Sequence, residues 1–178
     1  MRYLSPKENA LIEKSIVFMV KNMEETGTNK KPVIFHSLKV GFAAYSFGLS
    51  VEAVIAGNLH DLVEDSDVTI AEIDNLFGKR VSELVDKMTH KDEARMKNFH
   101  RGDYYTDWDS YHTSLLDDEE ALLLKLIDTK ENFVYNPLIT DILHREAIKK
   151  RTLSFFDIAE KNYPNNHTYR EIIKYYDN

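Results

Sequence analysis

The 178-residue chain contains no cysteine. That absence removes disulfides, cysteine-ligated zinc, iron–sulfur clusters and a thiol nucleophile together. Any bound metal must then be held by His, Asp or Glu. Glycine and proline are scarce, at six and four residues, about half of ordinary usage. A long β protein needs more special turns than these supply, so the expected class is all-α. Long hydrophobic runs are missing as well. The longest near the N-terminus, Ile16 to Val20, is five residues flanked by Lys14 and Lys21, too short for a signal-peptide core or a membrane span. The expectation is a cytoplasmic protein with no membrane partner. Positive charge is in deficit: 23 Lys and Arg against 30 Asp and Glu leave a net charge of −7. A sequence-independent nucleic-acid binder needs a cationic face, and none is expected here. A hydrophobic share of 43% beside a charged share of 30% fits a chain that folds and stays soluble, and the length fits one domain over residues 1–178.

What is present reads as a series of helices. Ser5-Pro6-Lys7-Glu8 is a capping box with proline at the first helical position. Leu11, Ile12, Ile16, Met19, Val20 and Met23 follow on one face, with Gly27 as a stop. A second helix is expected from about His36 to Phe47 before Gly48. Ser50 caps a third, which continues to about Val63. Thr69 and Glu72 form another capping box, and that short helix closes at Phe77-Gly78. Val81, Leu84, Val85 and Met88 mark a fifth. Residues 91 to 106 have no clear period and carry Lys91, Arg95, Lys97, His100 and Arg101, a stretch that serves either as a binding loop or as a solvated connection. Helical pattern resumes near Asp107 and from Asp118 to Phe133, and Pro137 breaks it. A long helix is expected from about Thr140 to Tyr163, and Thr168 with Glu171 caps the last.

The densest chemical group is His60-Asp61-Leu62-Val63-Glu64-Asp65, at the end of an apolar helix. Helical spacing stacks His60 on Glu64 and Asp61 on Asp65. Burying so many carboxylates costs several kcal/mol unless a cation compensates them. His36, after the apolar run Val33-Ile34-Phe35, is a second candidate. Asp128, at the end of Leu122-Leu123-Leu124-Lys125-Leu126-Ile127, is a third, and Asn132 and Lys125 lie one turn to either side. His36, His60, Asp61 and Asp128 offer two nitrogens and two oxygens to one divalent ion, a set that suits Mn²⁺, Fe²⁺ or Zn²⁺ better than Ca²⁺. Taken singly, each of these residues is more often a packed histidine or a hydrogen-bonded acid.

The order His36 … His60-Asp61 … Asp128 resembles the signature of the HD superfamily of metal-dependent phosphohydrolases. His60-Asp61-x-x-Glu64-Asp65, the Phe77-Gly78 stop, Val81-Ser82-Glu83-Leu84-Val85, Met88-Thr89 and Leu124-Lys125-Leu126-Ile127-Asp128-x-x-x-Asn132 are similar to the hydrolase domain of RelA/SpoT-type proteins. The similarity covers roughly residues 30 to 135. The resemblance implies a compact HD-domain helical bundle of about eight or nine helices. It implies removal of the 3′-pyrophosphate from guanosine 3′,5′-bis(diphosphate), with Mn²⁺ held by His36, His60, Asp61 and Asp128. Glu64 and Asp65 match the acidic pair that acts on the metal-bound water, and Asn132 matches a substrate contact. Those hydrolases carry an Arg-Lys pair upstream of the first ligand. Here that stretch is Glu25-Thr26-Gly27-Thr28, and the nearest basic residues are Lys30 and Lys31. These two and Lys125 are the candidate phosphate contacts. A nucleotidase or phosphodiesterase acting on another nucleotide is the alternative enzyme. A nucleotide-sensing module without turnover is the alternative of another class. The expected partner is a small nucleotide, and assembly of identical chains is left open.

Overall fold

The computed structural model describes residues 3–23, 31–90 and 108–176. Lys30, the basic stretch around His100, and Tyr104 and Tyr105 lie outside these described residues. Every regular element among the described residues is helical, as the shortage of turn residues requires. The chain forms two compact units, Met1–His90 and Lys91–Asn178.

The first unit holds α1 (Pro6–Met23), α2 (Val33–Ser46), α3 (Val51–Leu59), α4 (Leu62–Asp65), α5 (Ile70–Phe77) and α6 (Lys79–Met88). The capping box at α1 forms in both directions: the Ser5 N–H donates to Glu8 Oε2 at 2.7 Å and the Glu8 N–H to Ser5 Oγ at 3.3 Å. Ser50 and Thr69 accept the first-turn N–H groups of Ala53 and Glu72. Glu52 alone in α3 is exposed; its other residues are buried. A helix apolar on all sides has to be central, and α3 packs against α1, α2 and α6.

The approach of α2 to α3 is set by two glycines. A Cβ on Gly57 would stand 3.0 Å from the Cα and 3.1 Å from the nitrogen of Gly41, closer than ordinary carbon contacts of about 3.5–4.0 Å. The two backbones therefore touch. Asn58 beside this crossing donates to Ser15 Oγ at 2.9 Å, and Ser15 Oγ donates to the Ile12 carbonyl at 2.7 Å, so a buried polar chain ties α3 to α1. Gly48 ends α2 with a φ of 78°, a conformation that strains other residues.

Two boundaries differ from the sequence expectation. α2 starts at Val33, directly after Pro32, so His36 sits within its first turn and donates its N–H to the Pro32 carbonyl at 2.9 Å. The third helix does not run unbroken to Val63: it stops at Leu59 and α4 begins at Leu62. The His60 ring bonds the Gly57 carbonyl at 2.8 Å, the oxygen that in an unbroken helix takes the Asp61 N–H.

The second unit holds α7 (Trp108–Ser114), α8 (Glu119–Phe133), α9 (Ile142–Asn162) and α10 (His167–Tyr176), with single 3₁₀ turns at Leu115–Asp117 and Asn136–Leu138. α8 buries Ala121 to Leu124, Leu126, Ile127, Asp128 and Glu131 and packs on α9 and α10. Pro137 lies in the second 3₁₀ turn, as the expected break. Asp141 caps α9 by accepting from Leu143 and His144. Asn166, not Thr168, caps α10 by accepting from Tyr169. Asn166 directly precedes the helix, whereas Thr168 is already its second residue and so stands past the cap position. His112 is a packing residue, stacked on Phe155 with ring centroids 4.2 Å apart. No helix among the described residues is long and apolar enough to cross a membrane.

Candidate metal centre

The close crossing of α2 and α3 places His36 against His60. Their Nε2 atoms lie 3.3 Å apart, and both side chains are buried. His60 Nδ1 is 2.8 Å from the Gly57 carbonyl oxygen. A carbonyl can only accept, so Nδ1 carries the proton, and in the neutral ring the Nε2 lone pair is then exposed to its neighbours. Those neighbours are His36 Nε2 and Asp61 Oδ1, the latter at 3.1 Å. A lone pair facing a carboxylate oxygen asks for a cation between them, supplied by ring protonation or by a metal. A backbone carbonyl on the far nitrogen is also the usual partner of a metal-ligating histidine. The donor set and its orientation therefore fit a divalent cation.

Asp61 divides its oxygens. Oδ1 faces His60, while Oδ2 takes the Lys31 ammonium at 2.8 Å and lies 3.8 Å from His36 Nε2. Asp61 ends up here because the chain turns at the α3–α4 junction.

Glu64 and Asp65, the acidic pair, are half-buried on α4. Glu64 Oε1 accepts the His90 N–H at 2.9 Å, which fixes the carboxylate to the end of α6. Asp65 donates its N–H to the Asp61 carbonyl at 2.9 Å, so those two residues are one helical turn apart. Ser66 closes the turn by donating to the Leu62 carbonyl and accepting from Val68.

In the second unit, Asp128 is buried at 2% exposure, and its own helix serves it. Lys125 Nζ donates to Oδ2 at 2.8 Å and Asn132 Nδ2 to Oδ1 at 2.6 Å. The three residues share one face of α8, as their spacing requires. Lys125 also sits over the Tyr111 ring, 5.7 Å from its centroid. Tyr111 is core, and the Arg151 guanidinium lies 3.8 Å from the Trp108 ring centroid. Among the remaining histidines, His144 and His167 are exposed.

Two features of the site escaped sequence reasoning. The Gly57 carbonyl that sets the His60 tautomer has no side-chain signature. Lys31, expected on substrate, bonds the Asp61 carboxylate, and only the tertiary fold brings positions 31 and 61 together.

Residues 17–134 match the model of the HD domain family. A guanosine-3′,5′-bis(diphosphate) 3′-pyrophosphohydrolase of Aquifex aeolicus is 32% identical over 136 residues, which cover 76% of this chain and 19% of that protein. The bifunctional (p)ppGpp synthase/hydrolase SpoT of Escherichia coli is 29% identical over 116 residues, 61% of this chain and 15% of that one. The chain thus spans less than about a fifth of the length of these curated relatives. A solved structure described as a metazoan ortholog of SpoT that hydrolyses ppGpp is alike in fold, with a TM-score of 0.65 over 98% of each chain at 18% identity.

Proposed function

We propose that this chain, which belongs to the HD domain family, is a metal-dependent phosphohydrolase of the guanosine 3′,5′-bis(diphosphate) 3′-pyrophosphohydrolase kind. The observation that carries the reading is the buried His36–His60–Asp61 cluster, with the His60 proton committed to the Gly57 carbonyl and Nε2 left to the site. Relatives named for this activity share about a third of residues or less with the chain, which supports the same substrate class.

In this reading the resemblance supplies Asp128 as the fourth ligand beside His36, His60 and Asp61. The ion is Mn²⁺, with Fe²⁺ or Zn²⁺ suited to the same donors. When bound, it supplies Lewis acidity to a phosphoryl oxygen and acidifies a water molecule. Glu64 takes the proton of the attacking water, since its carboxylate is already fixed by the His90 N–H and needs no search for its position. Asp65 shares that acidic role. Water forms the new bond to the 3′ α-phosphorus, and the ribose 3′ oxygen leaves and regains a proton. Pyrophosphate departs intact, leaving guanosine diphosphate. Lys31 and Lys125 each hold a carboxylate of this reading's ligand set, and both are assigned to phosphate oxygens of the substrate. Lys30 and Asn132 complete the substrate contacts. The reaction is placed in the cytoplasm, where a small nucleotide is the partner.

The test is product analysis after incubating the Mn²⁺-loaded chain with guanosine 3′,5′-bis(diphosphate) and a panel of nucleoside monophosphates. Release of intact pyrophosphate from the 3′ position supports the reading. Orthophosphate release from the panel moves the chain to the nucleotidases. Tight nucleotide binding without turnover makes it a sensing module.

A further inference from the structure

Lys31 stands just before α2, separated from it by Pro32, and its ammonium reaches the α3–α4 junction at Asp61. The residue before a proline is held near extended backbone geometry, so the root of this side chain is fixed. The pair is largely shielded, with side chains 21% and 12% exposed, and salt screens such a pair less than a surface one.

The division of labour within Asp61 is the informative point. The oxygen that faces His60 Nε2, Oδ1, is not the one that Lys31 holds. Oδ2 carries the ammonium, while Oδ1 stands 3.1 Å from His60 Nε2. A short carboxylate side chain has two soft torsions. Anchoring one oxygen leaves the other a single direction.

We infer that Lys31 is a positioning residue for the metal centre: by holding Oδ2 of Asp61 it aims Oδ1 at His60 Nε2, which His36 Nε2 also faces, and so raises the affinity for a divalent cation. This rests on the metal reading proposed above and adds to it a residue that acts through the Asp61 carboxylate. The opposite effect is the serious rival. An ammonium 2.8 Å from a ligand carboxylate could compete with the metal for it, and then its removal would tighten binding.

The experiment is Mn²⁺ titration of the full chain without nucleotide, by calorimetry and by the electron paramagnetic resonance signal of free Mn²⁺. Wild type, Lys31→Met, Lys31→Gln and Lys31→Arg are compared, each checked for helix content and metal-free melting. Lys31→Met is expected to weaken Mn²⁺ binding by about 10–100-fold, the usual loss when an outer partner of a ligand is removed. Lys31→Arg should recover most of it, because a guanidinium can also hold Oδ2; a merely structural defect would not be rescued by charge. Should Lys31→Met fold poorly, Lys31→Gln, which keeps a donor without the charge, carries the same comparison. Unchanged or tighter Mn²⁺ binding in Lys31→Met overturns the inference while leaving the metal reading in place. Wild type that takes up no divalent ion overturns the metal reading, and the inference falls with it.

Discussion

Replacing Gly57 by alanine tests whether the contact between α2 and α3 builds the site. In an exposed helix interior the change stabilises by about 0.8–1.0 kcal/mol, because alanine is the better helix former. At position 57 the added methyl would meet the Gly41 Cα at 3.0 Å, the Gly41 nitrogen at 3.1 Å and the Val40 carbonyl carbon at 3.3 Å. All three are backbone atoms, so no side-chain rotation relieves the contact. Restoring ordinary separations of about 3.5–4.0 Å moves the helices apart by about half an ångström or more. Overpacking of this kind costs about 1–3 kcal/mol. Set against the propensity gain, the net loss is about 0–2 kcal/mol, opposite in sign to the exposed case. The same displacement reaches the chemistry, since His60 is one turn beyond Gly57 and its Nε2 stands 3.3 Å from that of His36. Urea unfolding followed by helix circular dichroism, paired with Mn²⁺ titration, reads both effects. Gly57→Ala should lower the urea midpoint and weaken Mn²⁺ binding together. A variant more stable than wild type by about 1 kcal/mol, with Mn²⁺ affinity intact, would refute the argument that these two backbones must touch. Gly41→Ala should fail by another route. Its methyl meets the Asn58 carboxamide and lies 3.2 Å from the Val54 carbonyl oxygen, so the Asn58–Ser15 bond has to break, at a cost of about 1–3 kcal/mol.

Further outcomes follow from the same geometry. Glu64→Gln keeps an oxygen for the His90 N–H but no longer accepts a proton, so turnover should fall by about 10²–10⁴ with metal content preserved; unchanged turnover removes Glu64 from the mechanism. Chelation should abolish turnover and Mn²⁺ restore it. Mn²⁺ at one hundred times its dissociation constant should also stabilise the fold by about 2.7 kcal/mol, read as a concentration-dependent rise in melting temperature that an inert site would not show. Asp128→Ala takes the carboxylate from the Lys125 ammonium, whose side chain is 13% exposed. The metal-free protein should lose about 3–5 kcal/mol, and a loss below 1 kcal/mol in urea would show that the pair is effectively solvated.

Much of the fold was legible because helix ends are written locally. Ser5-x-x-Glu8, Ser50 and Thr69 announce their helices within four residues, and each cap forms as its spacing requires. The start of α2 was misplaced because Val33-Ile34-Phe35 reads as a β-branched apolar run, while Pro32 in fact admits the helix immediately. The break between α3 and α4 was invisible because apolar spacing continues through it; at the break a ring nitrogen bonds a main-chain oxygen, a contact with no sequence signature. The residue types of the site could be read, since acids and histidines at the edge of apolar helices demand explanation. The partner of Lys31 could not, because the pairing of positions 31 and 61 exists only after α2 and α3 have packed.

The Gly57 carbonyl gives the centre an unusual robustness and an unusual weakness. An imidazole oriented by an aspartate loses its orientation when that aspartate mutates; one oriented by the peptide chain cannot lose it that way, because every amino acid brings the same oxygen. Drift at position 57 is therefore harmless to the tautomer in principle, yet the space beside Gly41 admits almost no replacement. The vulnerability has moved from chemical identity to bulk, so damaging variants at this spot should be recognised by their volume alone.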